Sequence, residues 1–274
     1  MVRNWMCNTK FMDGVHNRTL VIMSDQAGYD GLAGNEYGVR VARMRLLAPE
    51  LAQSFTHGTY GYWKLTEARV QMLSDLVDEG IAFLNWEPDA IWLRNPLGDA
   101  ELVKAAASLA DIAISSDIDT EGRHFLAVGL MMVRSNARTK QLFRHLTSML
   151  SSNIRNLGPH KYKDDVGASK ALMEQEILEG LLTTGYANIT HHQLNPCVYA
   201  GGLWYKPEEI TRRRNCILKH GVPVLINNNW IIGNDAKIQR AKDWGHWFIS
   251  SDGMCDAERV AKAITYYLWP PTPR

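Results

Sequence analysis

The 274-residue sequence has only four cysteines, Cys7, Cys197, Cys216 and Cys255, spread along the chain with no CxxC pair and no Cys/His spacing suited to zinc. That excludes a zinc-finger or dithiol redox site and fits a reduced, intracellular protein, with pairing of two of them as the alternative. No apolar run reaches the ~18 residues of a membrane-spanning helix, and the opening MVRNWMCNTKFMDG lacks the apolar centre of a signal peptide. Neither sign of charge dominates: 30 Lys and Arg face 29 Asp and Glu, a formal net charge of +1. The surface as a whole is therefore not that of a nucleic-acid binder, and Arg212-Arg213-Arg214 reads as a solvated helix end. Repeats, low-complexity tracts and linkers rich in Pro, Gly or Ser are missing as well. So are GxGxxG after a strand, GxxxxGK[ST], HExxH and GxSxG, which removes the common dinucleotide, P-loop, zinc-protease and serine-hydrolase signatures.

What is there is an ordinary globular balance, 46% hydrophobic and 22% charged, with length enough for one large α/β domain or two small ones. The periodicity alternates. Buried strands are predicted at 19–25, 81–85, 112–115, 125–135 and 222–227. Helices are predicted at 66–80, capped by Thr66 and stopped by Gly80, and at 99–111, 136–152, 169–182, 235–245 and 256–268. Residues 156–169, polar and carrying Gly and Pro, read as a surface loop. Strands alternating with helices predict an α/β fold with a mainly parallel sheet and helices on both faces. Such sheets bind ligands beyond the carboxyl ends of their strands, where Asp25, Asn85 to Asp89 and Ser116 to Asp119 fall.

The segment NWEPDAIWLRNPLGD, residues 85–99, then asks for an explanation. It sets two carboxylates, Glu87 and Asp89, around Pro88 just past a buried strand, and the proline keeps that backbone out of a helix. Two acids so placed can share one hard cation, Mg²⁺ or Mn²⁺, which takes one or two carboxylates together with substrate phosphates. Read alone they are ordinary loop acids, since acid-x-acid triplets are common, with Trp92 and Leu93 in the core. His191-His192 alternate across a strand and read as structural. Sugar sites use aromatic faces, and of nine tryptophans Trp63, Trp86, Trp204 and Trp230 lie in loop-like segments; most of the nine read as core.

GIAFLNWEPDAIWLRNPL (80–97) resembles the metal-binding segment of nucleotide-sugar glycosyltransferases of the GT-A fold, in the group of the rhamnogalacturonan-II xylosyltransferases and related arabinosyltransferases. The likeness extends in order over NWMCN (4–8), LVIMSD (20–25), GYWKLTEARVQMLSDLVDEG (61–80), ISSDID (114–119), EQEILEGLL (174–182), AGGLWYK (200–206) and INNNWIIGNDAKIQRAKDWGHWF (226–248). The resemblance implies a single GT-A, Rossmann-like domain over 1–274, its donor-binding part roughly 1–135 and its acceptor side roughly 136–274. It implies that Glu87 and Asp89 hold Mn²⁺ or Mg²⁺, and that Lys237 with the turn at Gly233, Asn228 and Asn229 faces the diphosphate. Asp25 would sit near the nucleotide, and Lys64 and Arg69 would contact phosphate or sugar. Asp117 and Asp119 would line the donor-sugar pocket as catalytic candidates, with Glu174 and Gln175 facing the reacting centre. For each of these the bland alternative is a loop acid or a solvated helix residue.

The departures are specific. Glu87 stands where the family has an aspartate, Glu174-Gln175 where it has Asp-Gln, and Asn227 where it has a histidine; its strand ahead of the Asn-Trp motif is not seen before Asn4. The implied activity is metal-dependent transfer of a sugar, xylose from UDP-xylose, to a hydroxyl of a glycan acceptor such as fucose, retaining or inverting. The partners are then a nucleotide-sugar donor and a glycan acceptor, with no nucleic acid and no membrane span. The rivals are a nucleotide-sugar or carbohydrate-binding module that has lost turnover, and a nucleotide-sugar hydrolase. The setting expected is a soluble one, cytoplasmic in a microbe or virus, or a trimmed luminal catalytic domain.

Overall fold

A computed structural model describes residues 1–44, 59–118, 123–157 and 173–263. Its largest sheet has the order β3 (Phe83–Trp86), β6 (His124–Val133), β5 (Ile112–Ile118), β7 (His191–Leu194). β6 runs antiparallel to both β3 and β5, and β5 and β7 are parallel. The fold is α/β as expected, but the mainly parallel sheet is not: the sheets are mixed. Only residues 119–123 join β5 to β6, and a parallel return needs a crossover of a dozen residues or more, so that pair must form a hairpin. Two smaller sheets accompany it among the described residues. β1 (Leu20–Met23) pairs in parallel with β2 (Arg40–Arg43); β4 (Ile91–Trp92), β9 (Leu225–Ile226) and β8 (Tyr199–Ala200) form the other, with β4 antiparallel to β9.

Alternation along β5 fills two of the three cores. Ile112 and Ile114 of β5 join Val70, Leu73 and Val77 of α3 (Tyr60–Asp78), Leu142 and Leu146 of α5 (Ala137–Leu157), and Ile177 and Leu181 of α6 (Glu174–Thr183). Ala113, between them, faces the other core with Leu194, Trp5 of α1 (Val2–Thr9) and Leu102 of α4 (Ala100–Ala107). α3 begins six residues earlier than Thr66: Thr59 caps it, accepting from the Tyr62 backbone N–H at 3.4 Å, while Trp63 and Thr66 are buried inside. Burying Trp63 overrides the local capping signal. α2 (Gln26–Leu32) was not expected from its glycine-rich sequence. The motif at 4–8 has a plain structural use. Asn4 and Asn8 are one helical turn apart on α1; Asn8 exchanges hydrogen bonds with Trp92 of β4, and Asn4 accepts from Phe248 N–H at 2.6 Å and donates to the His246 carbonyl at 3.0 Å.

The four cysteines are all paired. Cys7 is bonded to Cys255, and Cys197 to Cys216, with Cα atoms 5.4 and 5.1 Å apart. Wide sequence spacing hid both pairs. Among the described residues no helix is long and apolar enough to cross a membrane.

Candidate active site

The acidic segment leaves the end of β3 and meets α8 (Asn234–Asp243), which follows the turn at Gly233. Asp89 is 6% exposed, and its Oδ2 lies 2.5 Å from the Lys237 ammonium. Its Oδ1 is buried with no hydrogen-bond partner among the described residues. Glu87 Oε2 accepts from the Asn227 amide at 3.1 Å, and the Asn227 Oδ1 is again buried without a partner. Burial, and then the nearby Asp89 charge, push the Glu87 carboxyl above the usual range, against the pull of Arg69, the Asn227 hydrogen bond and Lys237.

The backbone makes this meeting possible. Residues 126 and 128 of β6 face the helix core, as do 131 and 133, so the face switches between them. The pairing slips at the same place: Ile114 faces Met131 whereas Ser115 faces Ala127. Gly129 sits in this bulge and its carbonyl accepts from Glu87 N–H at 3.0 Å. A Cβ there would overlap the Asn227 amide and stand 3.1 Å from Glu87 Oε2. A glycine inside an apolar strand is the sequence signal that could have marked this contact.

The triple asparagine links this centre to a second acid. Asn228 donates to the Lys237 carbonyl at 2.9 Å and accepts from Arg240 Nε at 2.7 Å; Arg240 also reaches the Asn229 carbonyl at 2.6 Å. Asn229 accepts from the Gly202 N–H and donates to Asp117 Oδ2 at 3.2 Å. Asp117 is 2% exposed and takes two further bonds, from the Trp230 indole at 2.6 Å and from Ile118 N–H at 2.9 Å. Burial raises its carboxyl, opposed by those donors. A Cβ on Gly201 would collide with that carboxylate and one on Gly202 with Asn229, which accounts for the paired glycines. Asp117, Asn227, Asn229 and Gly201 line one small cavity.

A third group stands across from Glu87. Arg69 of α3 is ion-paired to Glu174 at the start of α6. Burial would lower the Arg69 pKa, but Glu174 and Glu87 more than offset it and the guanidinium is held above its ordinary value. Glu174 is buried, and its second oxygen has no partner among the described residues. Gln175 accepts from Val128 N–H at 3.4 Å, over the bulge.

The structure therefore gathers Glu87, Asp89, Asn228, Asn229, Lys237, Asp117, Arg69, Glu174 and Gln175 around one region. Lys64 pairs instead with Glu67, whose carboxylate also meets Ser151 and Arg155 of α5. Asp25 caps α2, accepting from Gly28 N–H at 2.6 Å. Asp119 lies outside the described residues. Gly129, Asn227 and Arg240 belong to the site's framework and were not among the expected site residues.

Glu87, Asp89 and Asn227 present oxygen donors of the kind Mg²⁺ and Mn²⁺ prefer, and the buried, unpartnered oxygens on Asp89 and Asn227 fit such an ion. The donor set has two carboxylates and an amide: among the described residues no three His, Cys, Asp or Glu side chains converge.

UDP-D-xylose:L-fucose alpha-1,3-D-xylosyltransferase 1 of Arabidopsis thaliana is 22% identical over 73% of this chain and 55% of its own length. The Arabidopsis enzyme numbered 3 is 22% identical over 92% of this chain and 64% of its own. UDP-galactose:fucoside alpha-3-galactosyltransferase of Dictyostelium discoideum is 23% identical over 72% of this chain and 30% of its own. The chain thus spans only 55–64% of the length of the two Arabidopsis relatives. Among solved structures, mouse Xyloside xylosyltransferase 1 in apo form matches 84% of this chain and 93% of its own at 13% identity and a TM-score of 0.47. The family described as nucleotide-diphospho-sugar transferase matches residues 14–241, most of the chain and all of the groups gathered above, and this protein belongs to that family.

Proposed function

We propose that the protein is a metal-dependent glycosyltransferase that moves xylose from UDP-xylose to a hydroxyl of a fucose-containing acceptor. The observation that carries this reading is the buried Asp89 carboxylate, with one oxygen on Lys237 and the other unpartnered among the described residues, two positions along the chain from the Glu87 that Asn227 holds. Glu87, Asp89 and the Asn227 carbonyl would hold Mn²⁺ or Mg²⁺, whose chemistry is to neutralise charge on the diphosphate as it departs. Lys237 supplies a compact cation to the same leaving group, and Arg240 fixes the Asn228-Asn229 turn beside it. Arg69 occupies one oxygen of Glu174 and leaves the other to face the sugar's reacting carbon, as nucleophile or charge stabiliser in a retaining reaction or as base in an inverting one.

The names of the relatives narrow the substrates unequally. The donors differ, UDP-xylose in the Arabidopsis proteins and UDP-galactose in the Dictyostelium one, while the acceptor named is fucose or a fucoside in both. The acceptor is therefore the better supported half, and a pentose donor the half most open to test. The Lys237–Asp89 pair joins the two sequence halves, which supports one catalytic domain over the chain. The two disulfides support an oxidising compartment over the cytoplasm.

The test is a transfer assay with methyl α-L-fucoside, Mn²⁺ and UDP-xylose, UDP-galactose or UDP-glucose in parallel, read by mass spectrometry of the glycoside. A pentose added to the fucoside is expected. UDP release that the fucoside does not accelerate would favour a hydrolase, and donor binding without turnover a binding module.

A further inference from the structure

Four tryptophans lie in loop-like sequence, and the structure separates them. Trp63 and Trp204 are closed into the core, and Trp86 packs against Trp5 and Trp92. Trp230 is 41% exposed. It also sits at φ +60°, a left-handed conformation that a bulky side chain adopts only when its surroundings impose it. The restraint is visible: the indole N–H is held by the buried Asp117, and the ring meets Phe125 at 5.8 Å and 65°. Ile232, two residues on, is 70% exposed, so the turn carries an apolar surface next to a fixed aromatic ring. Solvent exposure and strain together are a poor bargain for stability alone.

The position suits a second sugar. Asn227 touches Glu87, Asn229 touches Asp117, and Trp230 follows, so the chain steps outward from the acidic centre. Three residues span at most about 10 Å, roughly the reach from a bound donor across one sugar ring. A pyranose carries apolar C–H patches that settle on an aromatic face, and a 6-deoxyhexose adds a methyl group that the exposed isoleucine can meet.

Resting on the transferase reading above, we infer that Trp230 is the platform for the acceptor sugar, a 6-deoxyhexose, with Ile232 beside it. Asp117 is then a positioning residue that holds the indole in place: its three hydrogen bonds are all internal to the protein.

Trp230→Gly separates this role from a structural one, because glycine is the residue the left-handed backbone favours. The expected result is a melting temperature lowered by no more than about 2 °C, or raised, with unchanged UDP-sugar affinity. The acceptor KM should rise about 10–100-fold, with kcat changed much less, the loss of one good aromatic contact. Trp230→Phe, which keeps an aromatic face, should recover most of the acceptor affinity. An unchanged acceptor KM in Trp230→Gly would overturn the inference, as would a loss confined to kcat or a large drop in melting temperature. If the wild type transfers no sugar at all, the transferase reading fails, yet this inference is still read by NMR without nucleotide. Methyl α-L-fucoside should then move the Trp230 indole N–H signal, assigned with Trp230→Phe, and an unmoved signal at saturating sugar would refute the platform.

Discussion

Asn227 reaches Glu87 only because the residue between them has no side chain. Gly129 lies in the β6 bulge, and any Cβ there would occupy the space of the Asn227 amide. Gly129→Ala should therefore cost about 1–3 kcal/mol of stability through overpacking. It should also weaken Mn²⁺ binding, because Asn227 and Glu87 are forced apart at the site where both would serve as ligands. Chemical denaturation and Mn²⁺ titration by electron paramagnetic resonance check the two effects. Stability and metal affinity both at wild-type level would show that the bulge places no ligand. At the same scale, the Asn227 amide spends its NH₂ on Glu87 and leaves its carbonyl oxygen without a partner among the described residues, the group a hard cation would take under the proposed reading.

Between elements, Asp111 is the clearest fastening. It precedes β5 and accepts from Arg138 Nε and Nη2 at 2.9 and 2.7 Å, from Asn136 at 2.7 Å, and from the Thr190 N–H and hydroxyl at 2.8 and 2.9 Å. One carboxylate thus ties β5 to the start of α5 and to the residue before β7. Despite burial, the Arg138, Thr190 and Asn136 hydrogen bonds hold its pKa at about 2, below the ordinary 3.8. An acid whose folded pKa is lowered stabilises the fold above its unfolded value and loses that contribution as pH falls toward the folded one. Asp111→Asn should accordingly cost about 2 kcal/mol near pH 7, or about 3–4 °C in melting temperature, with the deficit shrinking between pH 4 and pH 2. A deficit independent of pH would mean that the charge contributes nothing.

Elements of this kind were legible in the sequence to different degrees. α5 carries a long amphipathic period and β6 a long apolar run, and α4 carries its own cap at Asp99. β9 lies inside the strand expected at 222–227, whereas β4 and β8 are two residues each, too short to show any period, yet β4 borders the Glu87–Asp89 turn as β9 borders the triple asparagine. Alternating strands and helices predict crossovers and parallel strands, whereas β5 and β6, only five residues apart in sequence, pair antiparallel and break that alternation. At the site, the acid–proline–acid turn and the lysine on its helix could be singled out from local pattern and resemblance. Contacts such as Asn227 with Glu87, 140 residues apart, or the burial of Asp117 under Trp230, depend on packing that no local pattern encodes.

Across the whole molecule, the candidate site is a joint between distant parts of the chain. Lys237 and Asp89 are 148 positions apart, Arg69 and Glu174 105, and the Cys7–Cys255 bond closes a separation of 248 around both. A ligand that bridges these parts binds the folded chain alone and raises its stability by mass action, about 2.7 kcal/mol at a hundredfold excess over Kd. The most direct test is therefore the melting temperature of wild type and Asp89→Asn with UDP-xylose, with and without Mn²⁺. The account predicts stabilisation of the wild type that needs both ligands together, and its loss in Asp89→Asn while the unliganded melting temperature stays close to wild type. Equal stabilisation of the two proteins, or none in either, would contradict the assignment of Asp89 to the donor site.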